Sequence, residues 1–190
     1  MTMNADNLRL KGKHFLLFTA AMASAVTGSE AAAATQGTLG ATSTGSVAIS
    51  ASVPNRARIT GLSDVAFTNQ DPSTAASDAQ NVCVWSNTAT KAYTLTASGS
   101  GTASAFTLSN GATTVPYSVE WASSSGQTSG TAMTTGTASA SLTSTATNQN
   151  CASGPAASAS LVVKMSTTDL GTMSAGSSYT GTLTLLVTPL

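Results

Sequence analysis

The sequence predicts an all-β domain built as an antiparallel sandwich, on three observations. Ser and Thr supply 29 and 33 of the 190 residues, and with Gly and Val they leave few strong helix formers besides Ala. Apolar residues are 41% of the chain, and they alternate with polar ones in short runs at the period of a half-buried strand. Turn signals separate those runs, and no helical period is sustained. The same composition narrows function. Charged residues are 7% and the net charge is zero, so no basic patch can neutralise phosphates, and nucleic acid is excluded as a partner.

Residues 1–34 are expected to be a signal peptide. Arg9, Lys11 and Lys13 precede an apolar run over 15–26, and small residues end in Ala31-Ala32-Ala33-Ala34. A basic start, short apolar core and Ala-x-Ala end are the parts of a secretory leader. A membrane anchor needs about 20 apolar residues. This run is shorter and no second one follows, so no transmembrane segment is expected in the mature chain. Cleavage near Ala34-Thr35 would leave 35–190 as one domain. Export also makes Cys83 and Cys151 interpretable, because an oxidising compartment favours their pairing. Closing so long a loop would stabilise the fold by about 4 kcal/mol in the chain-entropy account. Two buried free thiols or a metal pair are the rival readings, and neither has further ligands to support it.

The strands follow in order. Val47, Ile49, Ala51 and Val53 alternate with small residues and predict the first, broken at Pro54-Asn55 and resumed over 57–59 before a Gly61 turn. A short strand is expected over 65–68, then a loop carrying Asp71-Pro72. Val82 and Val84 lie on one face of the next, with Cys83 and Trp85 on the other. Tyr93, Leu95 and Ala97 define another, ended by Gly99 and Gly101. Phe106 and Leu108 precede Asn110-Gly111, a tight-turn signal. Val115, Tyr117, Val119 and Trp121 alternate cleanly. Residues 122–137 are Ser, Thr and Gly with Met133 alone, which predicts a long loop. Ala138, Ala140 and Leu142 form a weak strand, Ala159, Leu161, Val163 and Met165 a good one, and Tyr179, Leu183, Leu185 and Val187 the last. The chain stops soon after Val187, and no strand is expected to follow and pair with it.

The polar segment 35–46 keeps period two through Leu39, Ala41, Ser43 and Gly45. It reads either as a flexible tail or as a strand held ready for another sheet, since an open sheet edge takes an extended segment by backbone hydrogen bonds and alternate pockets. Leu39 would be its main anchor, at about 1.5–3 kcal/mol when buried. The backbone ladder would therefore supply much of the hold.

The order of segments "TGSVAISASV", "ARITGLSDVAF", "NQDPSTAASDAQNVCVWSN", "AYTLTASGSG" and "YTGTLTLLVTPL" resembles the pilins of bacterial chaperone–usher fimbriae, particularly the archaic group with the spore coat protein U domain. The resemblance covers essentially all of 35–190. It implies an incomplete immunoglobulin-like antiparallel β-sandwich lacking its last strand. A periplasmic chaperone would fill the gap until the N-terminal extension of the next subunit replaces it at an outer-membrane usher. Carried onto this chain, residues 35–46 are the donor extension, with Leu39, Ala41, Ser43 and Gly45 facing inward, and 47–190 are the sandwich. The acceptor groove is then expected between Val47, Ile49 and Val53 of the first strand and Leu183, Leu185 and Val187 of the last. One departure stands out. Members often pair a cysteine in the opening strand with one in the second, but the stretch around Ala57 and Arg58 has none, so Cys83 must pair with Cys151.

Catalytic chemistry finds little support. The single histidine, His14, lies in the leader, which removes Ser-His-Asp catalysis and the commonest metal ligand from the mature chain. No G-x-S-x-G, phosphate loop or dinucleotide fingerprint occurs. Asp71, Asp78 and Glu120 are candidates for a carboxylate pair, yet single acids on loops and strand faces read as solvated surface. Asp64, Asp71 and Asp78 lack calcium-loop spacing. Trp85, Trp121, Tyr117 and Tyr93 fit a core better than a sugar-stacking platform. Arg56 and Arg58 beside Pro54 read as a solvated strand end, with a salt bridge to a neighbouring subunit as the alternative. No enzyme activity, cofactor or metal is expected. The expectation is a homopolymeric fimbrial subunit, exported through the periplasm to the cell surface and serving adhesion and biofilm formation. A self-contained secreted binding module or tip adhesin is the alternative, and a matrix protein assembling without an usher is a third.

Overall fold

The computed structural model describes residues 33–190. Residues 1–32, which hold most of the expected leader and His14, lie outside the described residues. Two compact units divide the chain, one ending at Ala51 and the other Ser52–Leu190.

In the first unit, Thr35 and Ser46 form an isolated antiparallel bridge. Their backbones exchange hydrogen bonds of 2.9 and 3.0 Å, and their hydroxyls lie 2.6 Å apart. The residues between them close a loop with bends over 39–42. Gly45 permits that closure, because a Cβ there would meet the Thr35 carbonyl oxygen at 3.0 Å.

The second unit is all β apart from two short helical turns. Its strands are β1 Ala57–Thr60, β2 Ala76–Ser86, β3 Ala92–Gly99, β4 Thr107–Ser109, β5 Thr114–Pro116, β6 Ser118–Ala122, β7 Thr131–Ala132, β8 Leu142–Thr143, β9 Ala159–Met165 and β10 Leu183–Pro189. They form an antiparallel five-stranded sheet, β1-β2-β9-β6-β7, a three-stranded sheet, β10-β3-β8, and the ribbon β4-β5. Alternation decides what is buried. Val82 and Val84 of β2, Tyr93 and Leu95 of β3, Val119 and Trp121 of β6, and Leu161, Val163 and Met165 of β9 share one core cluster, against which Leu183, Leu185 and Val187 of β10 pack. Both sheets feed that cluster, which makes the fold a sandwich. The Trp121 indole N–H donates to the Tyr93 hydroxyl at 3.3 Å across the core. Burial therefore pushes the Tyr93 phenol up while leaving its oxygen partnered.

Cys83 and Cys151 form a disulfide with Cα atoms 6.0 Å apart, buried with Ala146 under Trp85. It ties β2 to the loop before β9. Ser158 strengthens the same junction, since its hydroxyl accepts from the Val84 N–H and donates to the Val84 carbonyl. The stretch expected as one strand through Val115 and Trp121 is two, because β5 pairs with β4 while β6 pairs with β9. The expected loop over 122–137 contains β7, which pairs with β6. A one-turn helix, α1 Thr167–Gly171, was not expected; Ser166 caps it by accepting from the Asp169 N–H at 3.1 Å, and Leu170 anchors it in the core.

The first strand requires a correction. Residues 47–53 belong to no strand of the sandwich, which begins at β1. Val47, Ile49 and Val53 are 71%, 90% and 76% exposed. Period-two alternation marks an extended segment with one apolar face, and it carries no information about whose sheet that face will meet.

Candidate functional site

An open groove runs beside β10. Its first rim arises where β1 ends. Thr60 is the last residue of β1 paired to β2, opposite Cys83, and Gly61 follows at φ 81°, a left-handed conformation that glycine adopts without steric cost. From there residues 62–68 lie outside every strand and bridge of the described structure, so the short strand expected over 65–68 is not formed. A side chain holds them instead. The Gln80 amide, reaching from β2, accepts from the Ser63 N–H at 2.8 Å and donates to the Ser63 carbonyl at 3.0 Å.

The second rim is β10 itself. It stands at a sheet edge, hydrogen-bonded to β3 alone among the described strands, so the backbone groups turned away from β3 lack a ladder. Such an unpaired edge is a template for another extended segment. A cavity of about 1180 Å³ is lined by Leu62, Val65 and Phe67 together with Leu183 and Leu185 of β10. Leu161, Val163 and Met165 of β9 line it as well, all core residues, and Leu170, Met173 and Tyr179 gather where α1 leads toward β10. Asp64 is the one charged residue among the lining groups. Tyr117 also lines the groove, and burial pushes its phenol up. The Tyr179 hydroxyl accepts from the Ser174 N–H at 3.1 Å, and that bond holds its phenol below the usual value. The groove thus has an apolar floor of core side chains within a margin of hydroxyl and amide residues, and it lies beside an open backbone edge.

Of the residues expected at an acceptor groove, Leu183 and Leu185 line it, and Val187 packs on the same core without reaching it. Val47, Ile49 and Val53 are not among its lining residues, which include Leu62, Val65 and Phe67. Leu39, Ala41, Ser43 and Gly45 all sit in the loop closed by the Thr35–Ser46 bridge and are exposed. Tyr179, expected within the last strand, lies before β10 and lines the groove; Gln80 and Met173 line it without any period in the sequence to mark them.

Elsewhere, a cleft of about 480 Å³ beside β7 and β8 is walled mainly by small and hydroxyl residues with Trp121, Met133 and Leu142. Lys164 and Glu120 pair at 2.7 Å on neighbouring strands. That ammonium and the Gly130 N–H keep the Glu120 carboxyl below the usual carboxylate range. Among the described residues no three His, Cys, Asp or Glu side chains gather as metal ligands, and no helix is long and apolar enough to cross a membrane.

No family model and no curated protein matches the sequence. Among solved structures, the chain is similar to one in a chaperone–tip adhesin complex of CFA/I fimbriae biogenesis, at 14% identity and TM-score 0.47, with 70% of this chain and 41% of that one covered. It is also similar to a chain of the CsuC–CsuE chaperone–tip adhesion subunit pre-assembly complex from the archaic chaperone–usher Csu pili of Acinetobacter baumannii. There the identity is 18% and the TM-score 0.39, with 72% of this chain and 40% of that one covered. The chain spans about two-fifths of the length of each of these chains.

Proposed function

We propose that this chain is a structural subunit of a surface fimbria, in which the N-terminal segment of one copy completes the sandwich of the next. The observation that carries the reading is a pair of complementary defects. The body has an apolar groove along an unpaired strand edge, and the residues preceding it expose Leu39, Val47, Ile49 and Val53. An exposed apolar groove of this kind is unstable toward association in water, and a donated strand would bury the apolar faces and satisfy the β10 backbone together. Before assembly the same groove needs a holder, and a periplasmic chaperone acting with an outer-membrane usher fits that requirement. Adhesion and biofilm formation are the roles we assign to the resulting fibre. The disulfide suits an oxidising route to the surface.

The test is deletion of residues 35–53 in cells that express the chain with its chaperone and usher. The expected outcome is a folded subunit held by the chaperone and no filaments in the surface-sheared fraction under the electron microscope. Filaments of normal length from the deleted chain would overturn the proposal.

A further inference from the structure

We propose that the strand donated to the groove is residues 47–53, and that 35–46 stays outside it as a closed loop. The inference rests on the fimbrial reading and assigns the register that the reading leaves open.

Both ends of the donor are marked. At its start, the backbone N–H and carbonyl of Ser46 are already taken by Thr35, so the ladder available to a neighbour begins after Ser46. At its end, Pro54 has no N–H to offer a ladder. Asn87 then holds the next residues. Its side-chain amide donates to the Pro54 carbonyl at 2.9 Å and accepts from the Arg56 N–H at 2.6 Å, while its own N–H donates to the Arg56 carbonyl at 3.0 Å. Residues 47–53, free between these two anchors, equal in number the 7 residues of β10.

Side-chain chemistry separates the two registers. When extended, Val47, Ile49, Ala51 and Val53 share one face, and Ala48, Ser50 and Ser52 give a small, mostly hydroxyl opposite face. That is three large apolar side chains for an apolar groove. The run Leu39, Ala41, Ser43, Gly45 offers one, and using it would first break the Thr35–Ser46 bridge. Neither segment carries a charge, which suits a groove whose lining has Asp64 as its one charged residue.

The occupant is a second copy. Residues 62–68 follow β1 in the chain and 47–53 precede it. To lie beside its own rim, the segment would have to reverse over residues 54–56, the residues that Asn87 holds as a continuation of the β1–β2 ladder.

The experiment places a benzophenone photo-crosslinking amino acid at Ile49 or at Leu39 of the full-length chain and irradiates assembled filaments. Crosslinked peptides are then mapped by mass spectrometry. We expect crosslinks between two chains from position 49 to the neighbourhood of Val65, Val163 and Leu185, and none to that neighbourhood from position 39. Groove crosslinks from position 39, with or without position 49, overturn the register while leaving strand donation standing. Crosslinks from 49 within one chain overturn the second-copy assignment. If neither position reaches the groove in filaments, donation of the N-terminal segment to the groove fails, register included. As a second readout, Ile49→Asp should lower filament yield by a factor of about ten or more, because a carboxylate would enter an apolar groove. Leu39→Asp should leave the yield unchanged, and the reverse pattern contradicts the register.

Discussion

Replacing Ile49 by alanine should weaken the filament while sparing the isolated subunit. Ile49 is 90% exposed in the isolated chain, so the subunit's own unfolding free energy should shift by less than about 0.5 kcal/mol, as for other surface positions. In the filament the same side chain would be buried, and truncating a buried isoleucine to alanine costs about 2 kcal/mol or more. That corresponds to at least about a thirtyfold weaker link between subunits. The assay follows two guanidinium transitions on one preparation: loss of filament by light scattering, and unfolding of released subunit by tryptophan fluorescence. The first midpoint should fall and the second should stay. Equal shifts in both would mean that Ile49 packs within its own body. An unmoved filament midpoint would refute the reasoning outright.

Other outcomes follow from the body of the fold. Replacing Cys83 and Cys151 together by alanine releases a loop of sequence separation 68 and should lower subunit stability by about 4 kcal/mol; a denaturant titration showing less than about 1 kcal/mol would contradict it. Gln80→Leu removes both hydrogen bonds to Ser63, so amide exchange over 62–68 should quicken while the β9 core stays protected, as mass spectrometry of exchanged peptides can read. Glu120 is held below its ordinary value of 4.5 by Lys164 first and Gly130 second. Its stabilisation is therefore complete above the unfolded-state pKa and disappears as pH falls through the lower folded-state value. Glu120→Gln should flatten that acid limb, with an effect below about 1 kcal/mol for a pair this close to solvent, and an unchanged stability profile between neutral and acidic pH would remove the pair from the account.

Much of the architecture was legible because burial follows alternation. Val82 and Val84, Tyr93 and Leu95, Leu161 and Val163, and Leu183 and Leu185 all lie inward as their spacing requires. Two cysteines in a chain with a leader-like start left one intramolecular pairing to make, and it is formed. What alternation cannot convey is partnership. Residues 47–53 and the pair Val65 and Phe67 look alike in sequence, yet the first group belongs to no strand of the sandwich and the second lines its groove. The difference is set by where Gly61 turns the chain and by what Gln80 holds, neither of which has a period. The small helix α1 is too short for a helical repeat, and its one signal was the Ser166-x-x-Asp169 capping pair. The split of the 115–121 run between the β4–β5 ribbon and the five-stranded sheet falls at Pro116, a residue that belongs at the end of a ladder.

The central claim is that a neighbour's leading residues seal the groove beside β10. A cryo-electron-microscopy map of the sheared filament tests it most directly. Strand donation requires density for one added strand along β10, continuous with the next subunit through Pro54 and with Val47, Ile49 and Val53 facing the core. A filament map in which that groove is empty, or is filled by the same subunit's own chain, would contradict it.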